Sequence, residues 1–249
     1  MGAPSLDHPQ GTVTSSWDSP PNPWPRPAHV WHPARVLLFL TGSSCSGKST
    51  LAFAVADRFE RLAVHDSDES GVPRVLPRGW RNNNTEEWIG RALEYQADGV
   101  DLLLTGQAPL GEVLAAPSAP LLNAIAVCLV DVGDEERRRR LTERDHGRWS
   151  GSDADRFVNW AAWHRGHARD PRHRPGVNTA DSAPDMAWHR WSSWTAEDPR
   201  WQTHVIDTTD RPREASVDEL EQWITRQRES LRSGRHPLRR GWENRTAGP

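Results

Sequence analysis

The sequence predicts an α/β domain in which a parallel sheet is sandwiched between helices, on three observations. Short apolar runs alternate with amphipathic stretches from residue 36 to 228, the order a parallel sheet with crossover helices requires. The first run, Val36-Leu37-Leu38-Phe39-Leu40, is continuously apolar, as a strand buried on both faces must be. That run leads through a Gly/Ser turn into Thr50 to Phe59, whose Leu51, Ala52, Val55, Ala56 and Phe59 fall at helical spacing.

The remaining elements follow in order. Leu62-Ala63-Val64-His65 reads as a second strand, followed by a polar stretch suited to an active-site loop. Asn84, with Glu87 three residues on, predicts the cap of a helix reaching Ala97. Val100 to Thr105 and Ile125 to Val130 are the third and fourth strands, and Asp134 opens an arginine-rich helix through Arg144. A Trp/His/Arg-rich block from Trp149 to Trp201 comes next. In it Ser152 and Asp155 predict a cap for a helix with the stripe Phe157, Trp160, Ala161, His164, and a second helix is expected over 184–191. His204 to Asp207 is the fifth strand. Ser216 with Glu219 predicts the cap of a last helix presenting Leu220, Trp223 and Ile224. Residues 1–33, rich in Pro, Ser and His without periodicity, read as a disordered arm, 34–231 as the folded domain with 149–201 as a helical lid or acceptor-binding insertion, and 232–249 as a frayed tail.

Composition narrows the function classes. A formal charge of −3 and a pI near 6.4 disfavour a dedicated nucleic-acid or anionic-membrane binder. Two cysteines cannot build a disulfide framework, and no apolar run approaches the roughly 20 residues of a membrane span. With no charged and apolar leader at the N-terminus, the expectation is a cytoplasmic protein. A homodimer is left open.

The turn after the first strand, Gly42-Ser43-Ser44-Cys45-Ser46-Gly47-Lys48-Ser49, fits G-x-x-x-x-G-K-[ST] at every fixed position and is followed by Thr50. Lys48 is the only lysine in the chain; every other basic side chain is arginine. A compact ammonium retained at one place marks a site where a planar guanidinium does not fit. Backbone N–H groups of residues 43–48 would wrap a β-phosphate, Lys48 would bridge β- and γ-phosphates, and Ser49 would ligate Mg²⁺. The phosphates would sit at a helix N-terminus, where unpaired N–H groups favour anions.

The second strand ends in His65-Asp66-Ser67-Asp68, placing two carboxylates at the carboxyl edge of the sheet, where ligands of such sheets bind. Mg²⁺ takes one or two carboxylates together with phosphates and waters, a role we give Asp66 beside Ser49. Asp68 is the general base or orienting group for an acceptor hydroxyl.

Here the chain resembles the small-molecule kinases of the phosphate-loop superfamily, the shikimate, gluconate and chloramphenicol kinases, over residues 36–145 and again over 203–228. The likeness rests on the Gly42 to Thr50 loop, the Asp66-Ser67-Asp68 pair, and Leu103-Leu104-Thr105-Gly106-Gln107. In shikimate kinases Gly-Gly follows the first glycine of that last segment; here Gln107 and Ala108 do. The resemblance implies a P-loop NTPase three-layer α/β/α sandwich with a five-stranded parallel sheet in the order 2-3-1-4-5, phosphoryl transfer from ATP with Mg²⁺, and a mobile lid, here enlarged.

Arg137 to Arg140 and Arg144 lie where such kinases lead into the lid, whose arginines neutralise charge on the transferring group. Arg140 and Arg144 are our catalytic candidates, Arg148 the reserve. Asp207-Thr208-Thr209, after the fifth strand, lies where these kinases pass the adenine, so its backbone is expected to contact the base. Arginine forks match carboxylates and phosphates, so Arg74, Arg78, Arg81 and Arg165, together with Gln107, are the candidates for acceptor binding; Arg172 and Arg174 are further anion-binding candidates. Trp160, Trp163, Trp188, Trp191 and Trp194 at helical spacing are core residues more often than a stacking platform. His164, His167, Asp170 and His173 suggest a metal only faintly, since no HExxH pattern is present.

The reading is thus an ATP- and Mg²⁺-dependent kinase acting on a hydroxyl of a small molecule, a metabolite, a sugar-like compound or an antibiotic. Two rivals stand beside it. A polynucleotide 5′-kinase would share loop, base and lid arginines, against the acidic net charge. A non-catalytic ATP-binding regulatory module would bind nucleotide without an acceptor. A GTPase needs a second lysine, in N-K-x-D, that the chain does not have.

Overall fold

A computed structural model describes residues 34–144 and 151–244. The N-terminal arm, Arg148 and the last five residues of the tail lie outside the described residues. The elements run β1 (Leu37–Thr41), α1 (Lys48–Val55), β2 (Leu62–Asp66), α2 (Trp80–Ala97), β3 (Asp101–Thr105), α3 (Leu110–Ala115), β4 (Ile125–Asp131), α4 (Asp134–Arg144), α5 (Ser152–Arg169), α6 (Gly176–Thr179), β5 (Thr203–Asp207) and α7 (Arg213–Arg232). All strand pairs are parallel, and the sheet order is β2-β3-β1-β4-β5.

Alternation along the central strand divides the core. Leu37 and Phe39 face a cluster built by Leu102 and Leu104 of β3, Trp88 and Ile89 of α2, and Trp191, Trp194, Trp201 and Trp242. Val36, Leu38 and Leu40 face the opposite cluster, made by Leu51 and Val55 of α1 and Val217, Leu220, Trp223 and Ile224 of α7. With both faces covered, β1, β3 and β4 are wholly apolar or buried. Among the described residues no helix is long and apolar enough to cross a membrane.

Several expected boundaries move, each for a physical reason. Helix α2 begins at Trp80, after Gly79 at φ 71°, four residues before the expected cap. Asn84 is buried inside it and works sideways, its amide donating to the Ser67 carbonyl at 3.1 Å. Ser216 is likewise buried within α7, which starts at Arg213. Gly151, not a side chain, precedes α5, and Asp155 instead pairs with Arg138 at 2.6 Å. The inward stripe of α5 is Ala154, Val158, Ala161, Trp163, His164 and His167, rotated from the expected one. Over 184–191 there is only the 3₁₀ turn Trp188–Arg190, and α3 has no counterpart in the sequence reading.

The segment after Leu231 is not frayed through residue 244. The Leu238 carbonyl accepts from the Ile125 N–H at 3.1 Å, the Arg240 N–H donates to Asn123 at 2.8 Å, and Leu238 and Trp242 are buried in the first cluster.

Candidate active site

The loop between β1 and α1 requires its glycines. Gly42 lies at φ 144°, and a Cβ there would stand 2.3 Å from the Val130 carbonyl oxygen. Gly47, immediately before α1, lies at φ 96°, a region L-residues avoid. Three side chains brace the loop from behind. Ser43 Oγ donates to the Phe157 carbonyl of α5 at 2.8 Å. Arg137, fully buried, donates to the Ser44 carbonyl at 2.6 Å, and Thr208 Oγ1 donates to the Ser46 carbonyl at 3.0 Å. Lys48 Nζ reaches back to the Ser43 carbonyl at 3.1 Å. Burial pulls the Lys48 ammonium down to about 8, with Asp66 opposing; a bound polyanion would raise it again.

Opposite the loop, Asp66 closes β2. Its Oδ2 accepts from Ser49 Oγ and from Thr105 Oγ1, both at 2.6 Å, and its Oδ1 accepts from the Asp68 N–H at 3.1 Å. Burial pushes this carboxyl upward, but those donors and Lys48 outweigh it and hold Asp66 below its ordinary value. Asp68 departs the other way: burial first, then the neighbouring Asp66 charge, raise it. Two carboxylates two residues apart are thus driven in opposite directions, the pattern that separates a permanently ionised ligand from a proton acceptor. Ser49 Oγ, Thr105 Oγ1 and Asp66 form a hard-oxygen set that fits Mg²⁺. Among the described residues no cluster of three or more His, Cys, Asp or Glu could hold a metal by itself.

Both features open into one cavity of about 780 Å³. Its lining includes Ser44 to Leu51, Asp66, Asp68, Leu76, Trp80, Arg81, Asn84, Thr85, Trp88, Gln107, Arg140, Arg144, Thr208, Arg211, Arg213 and Ser216, and the charges of Lys48 and Arg144 act on Asp68. Arg140 donates to the Thr208 hydroxyl and carbonyl at 3.0 Å and to Glu136 at 2.7 Å. Arg144 NH1 lies 3.8 Å from Cys45 Sγ.

The cavity collects Lys48, Ser49, Asp66, Asp68, Arg81, Gln107, Arg140 and Arg144, but not every expected residue. Asp207 does not line it; its carboxylate accepts from the Thr209 N–H at 2.9 Å and hydroxyl at 2.6 Å, and Thr208 takes its place at the site. Arg165 points elsewhere, donating to Asp131 at 3.1 Å and Asp134 at 2.7 Å. Arg74, Arg78, Arg172 and Arg174 are exposed and outside the lining. Trp163, Trp191 and Trp194 are core residues. His164 and His167 pack among those rings, His167 stacked on Trp163 at 4.7 Å. Arg137, Trp80 and Glu112 were not singled out for the site from the sequence, whereas Thr208 belongs to the segment expected to pass the adenine. Arg137 alone carried a signal, sharing the helix face of Arg140 and Arg144.

This is the phosphate-loop NTPase fold. The sheet order and the loop between β1 and α1 establish it directly. No protein-family model matches the chain, and no curated protein matches it in sequence. Solved structures similar to it include an unliganded sugar kinase from Janibacter sp., at 16% identity over 78% of this chain and 95% of that one, with a TM-score of 0.49. A gluconokinase from Sinorhizobium meliloti is 14% identical over 82% and 100%, with a TM-score of 0.48. A shikimate kinase from Bacteroides thetaiotaomicron is 18% identical over 76% and 98%, with a TM-score of 0.37.

Proposed function

We propose that the protein transfers the γ-phosphoryl group of ATP to a hydroxyl of a small molecule. The observation that carries this reading is the convergence of Lys48, the Ser49–Asp66 contact and Asp68 on one cavity. Magnesium, held by Ser49 and Asp66 together with phosphate oxygens, would neutralise phosphate charge. Backbone N–H groups of the loop and Lys48 hold the phosphates in line with the acceptor hydroxyl. The acceptor oxygen bonds to the γ-phosphorus as the bond to the β–γ bridging oxygen breaks, leaving its electron pair on ADP, and the hydroxyl proton passes to Asp68. Arg140 and Arg144, at the rim, supply positive charge to the transferring group.

Release of ADP that depends on acceptor, in a panel of hydroxyl compounds, tests the reading, with Lys48→Met as the control. Turnover by Lys48→Met at the parent rate overturns it. Nucleotide binding with no acceptor-dependent release would favour the regulatory module instead.

A further inference from the structure

Asp68 lines the cavity, yet among the described residues no side chain hydrogen-bonds its carboxylate. Where that carboxylate stands is therefore set by the 3₁₀ turn Ser67–Ser70 that carries it. Helix α2 grips the turn through two residues. Asn84 and Trp88 both donate to the Ser67 carbonyl at 3.1 Å, and the Ser70 hydroxyl donates to the Asn84 side chain. A second tie runs to β2. Asp66 and Glu69 stand three residues apart, the spacing at which a side chain reaches back to cap the backbone, and the Asp66 N–H donates to Glu69 Oε1 at 2.8 Å.

Glu69 is itself held. Its Oε2 lies 2.6 Å from His65 Nδ1, and His65 Nε2 lies 2.8 Å from the Tyr95 hydroxyl of α2. A carboxylate only accepts, so Nδ1 carries the ring proton, and Nε2 of the neutral ring accepts from Tyr95. None of Tyr95, His65 and Glu69 lines the cavity, so the three form a support behind the site.

We propose that Glu69 is a positioning residue: held by His65 and Tyr95, it ties the turn to β2 and fixes where the Asp68 carboxylate meets the acceptor hydroxyl. This rests on the phosphoryl-transfer reading.

Acceptor-dependent ADP release is measured for the full chain and for Glu69→Ala, Glu69→Gln, Asp68→Asn and the double variant Asp68→Asn with Glu69→Ala. A misplacement of about 1 Å can cost 10²-fold in rate. Glu69→Ala, which keeps the grip of α2, should lower kcat about tenfold at unchanged KM for ATP. Its Mg²⁺ requirement should stay, because Ser49 and Thr105 still hold the Asp66 carboxylate. Glu69→Gln should recover most of the rate. Its amide oxygen still accepts from the Asp66 N–H, and its NH2 donates to His65 Nδ1 when the ring takes the other tautomer and donates from Nε2 to Tyr95. In the double variant no base is left to position, so alanine should cost less than about twofold beyond Asp68→Asn alone, whereas a merely structural loss would multiply with it.

The proposal is overturned by a Glu69→Ala kcat within about twofold of the parent, by a glutamine variant no faster than alanine, or by a tenfold further loss in the double variant. Asp68→Asn turning over like the parent also overturns it, since the base would lie elsewhere. A parent chain that binds ATP but shows no acceptor-dependent release, or Lys48→Met at the parent rate, overturns the phosphoryl-transfer reading itself.

Discussion

Arg137 joins Asp131 to the phosphate loop: its guanidinium donates at 2.6 Å to Asp131 Oδ1 and at 2.6 Å to the Ser44 carbonyl. Its side chain is wholly buried, so β4 and the loop are tied by a charge with no access to water. Arg137→Met should destabilise the fold by about 3 kcal/mol, the low end for breaking a buried pair, because Arg165 still faces Asp131. Urea unfolding measures this; a loss under about 1 kcal/mol would leave the brace without energetic weight.

Lys48→Met should keep the fold and remove transfer, and Lys48→Arg should also fail because a planar guanidinium does not fit the loop. The parent ammonium, pulled down to about 8, is disfavoured when charged in the ligand-free protein. Its cost to stability is full below pH 8 and fades as pH rises from there toward 10.5. Lys48→Met should therefore be no less stable than the parent at pH 7. ATP affinity of the parent should fall above pH 8, where binding must take up a proton; calorimetry in buffers of different ionisation enthalpy checks that uptake.

The strands and the phosphate loop were legible because their signals are local. Five apolar residues in a row mean a central strand, and the loop glycines are fixed by backbone geometry. The charged and aromatic residues were not legible in the same way. Arg81, Arg137 and Arg165 look alike in sequence, yet one lines the cavity, one braces the loop and one faces Asp131 and Asp134; partner choice is tertiary. Asn84 mimicked a helix cap because capping and lateral hydrogen bonding use the same amide. The Trp block hid its turns because tryptophan packs equally well from coil and from helix.

Asp68→Asn should lower turnover by about 10² to 10⁴ with ATP affinity kept, the range for a positioned base. Since Asp68 is raised from 3.8, activity of the parent should fall with acid through a value above 3.8, and that limb should vanish in the variant. Asp66→Asn should instead raise the Mg²⁺ requirement. Rescue of Asp68→Asn, but not of Asp66→Asn, by added Mg²⁺ reverses the two roles.

The two rim arginines should separate. Arg140 is tied to Glu136 and to Thr208, whose hydroxyl donates to the Ser46 carbonyl of the phosphate loop, so Arg140→Ala should raise KM for ATP as well as lower turnover. Arg144, exposed at the end of α4, should act mainly on turnover, by about tenfold or more. Equal effects on kcat and KM at both positions would count against this division.

Three buried histidines set the response of the fold to acid. Burial lowers His164 well below 6.5 and lowers His167 and His236 to about 4, and each lies within the core at 2% exposure or less. Nε2 of His164 and both ring nitrogens of His167 and His236 have no partner, so a proton added there finds no acceptor. The folded values lie below the unfolded one, so the unfolded chain binds more protons below pH 6.5, and stability is lost as pH falls from 6.5 toward 4. Each of His167 and His236 contributes roughly 3 kcal/mol to that loss over the full interval. Together they should unfold the domain in a narrow range near pH 5 that carboxylate protonation alone would not reach. His236→Leu should shift the acid midpoint downward without changing the urea midpoint at pH 8 by more than the packing difference. An acid transition that stays in place in His236→Leu, with the protein still folded at pH 8, would assign the acid sensitivity to the carboxylates instead.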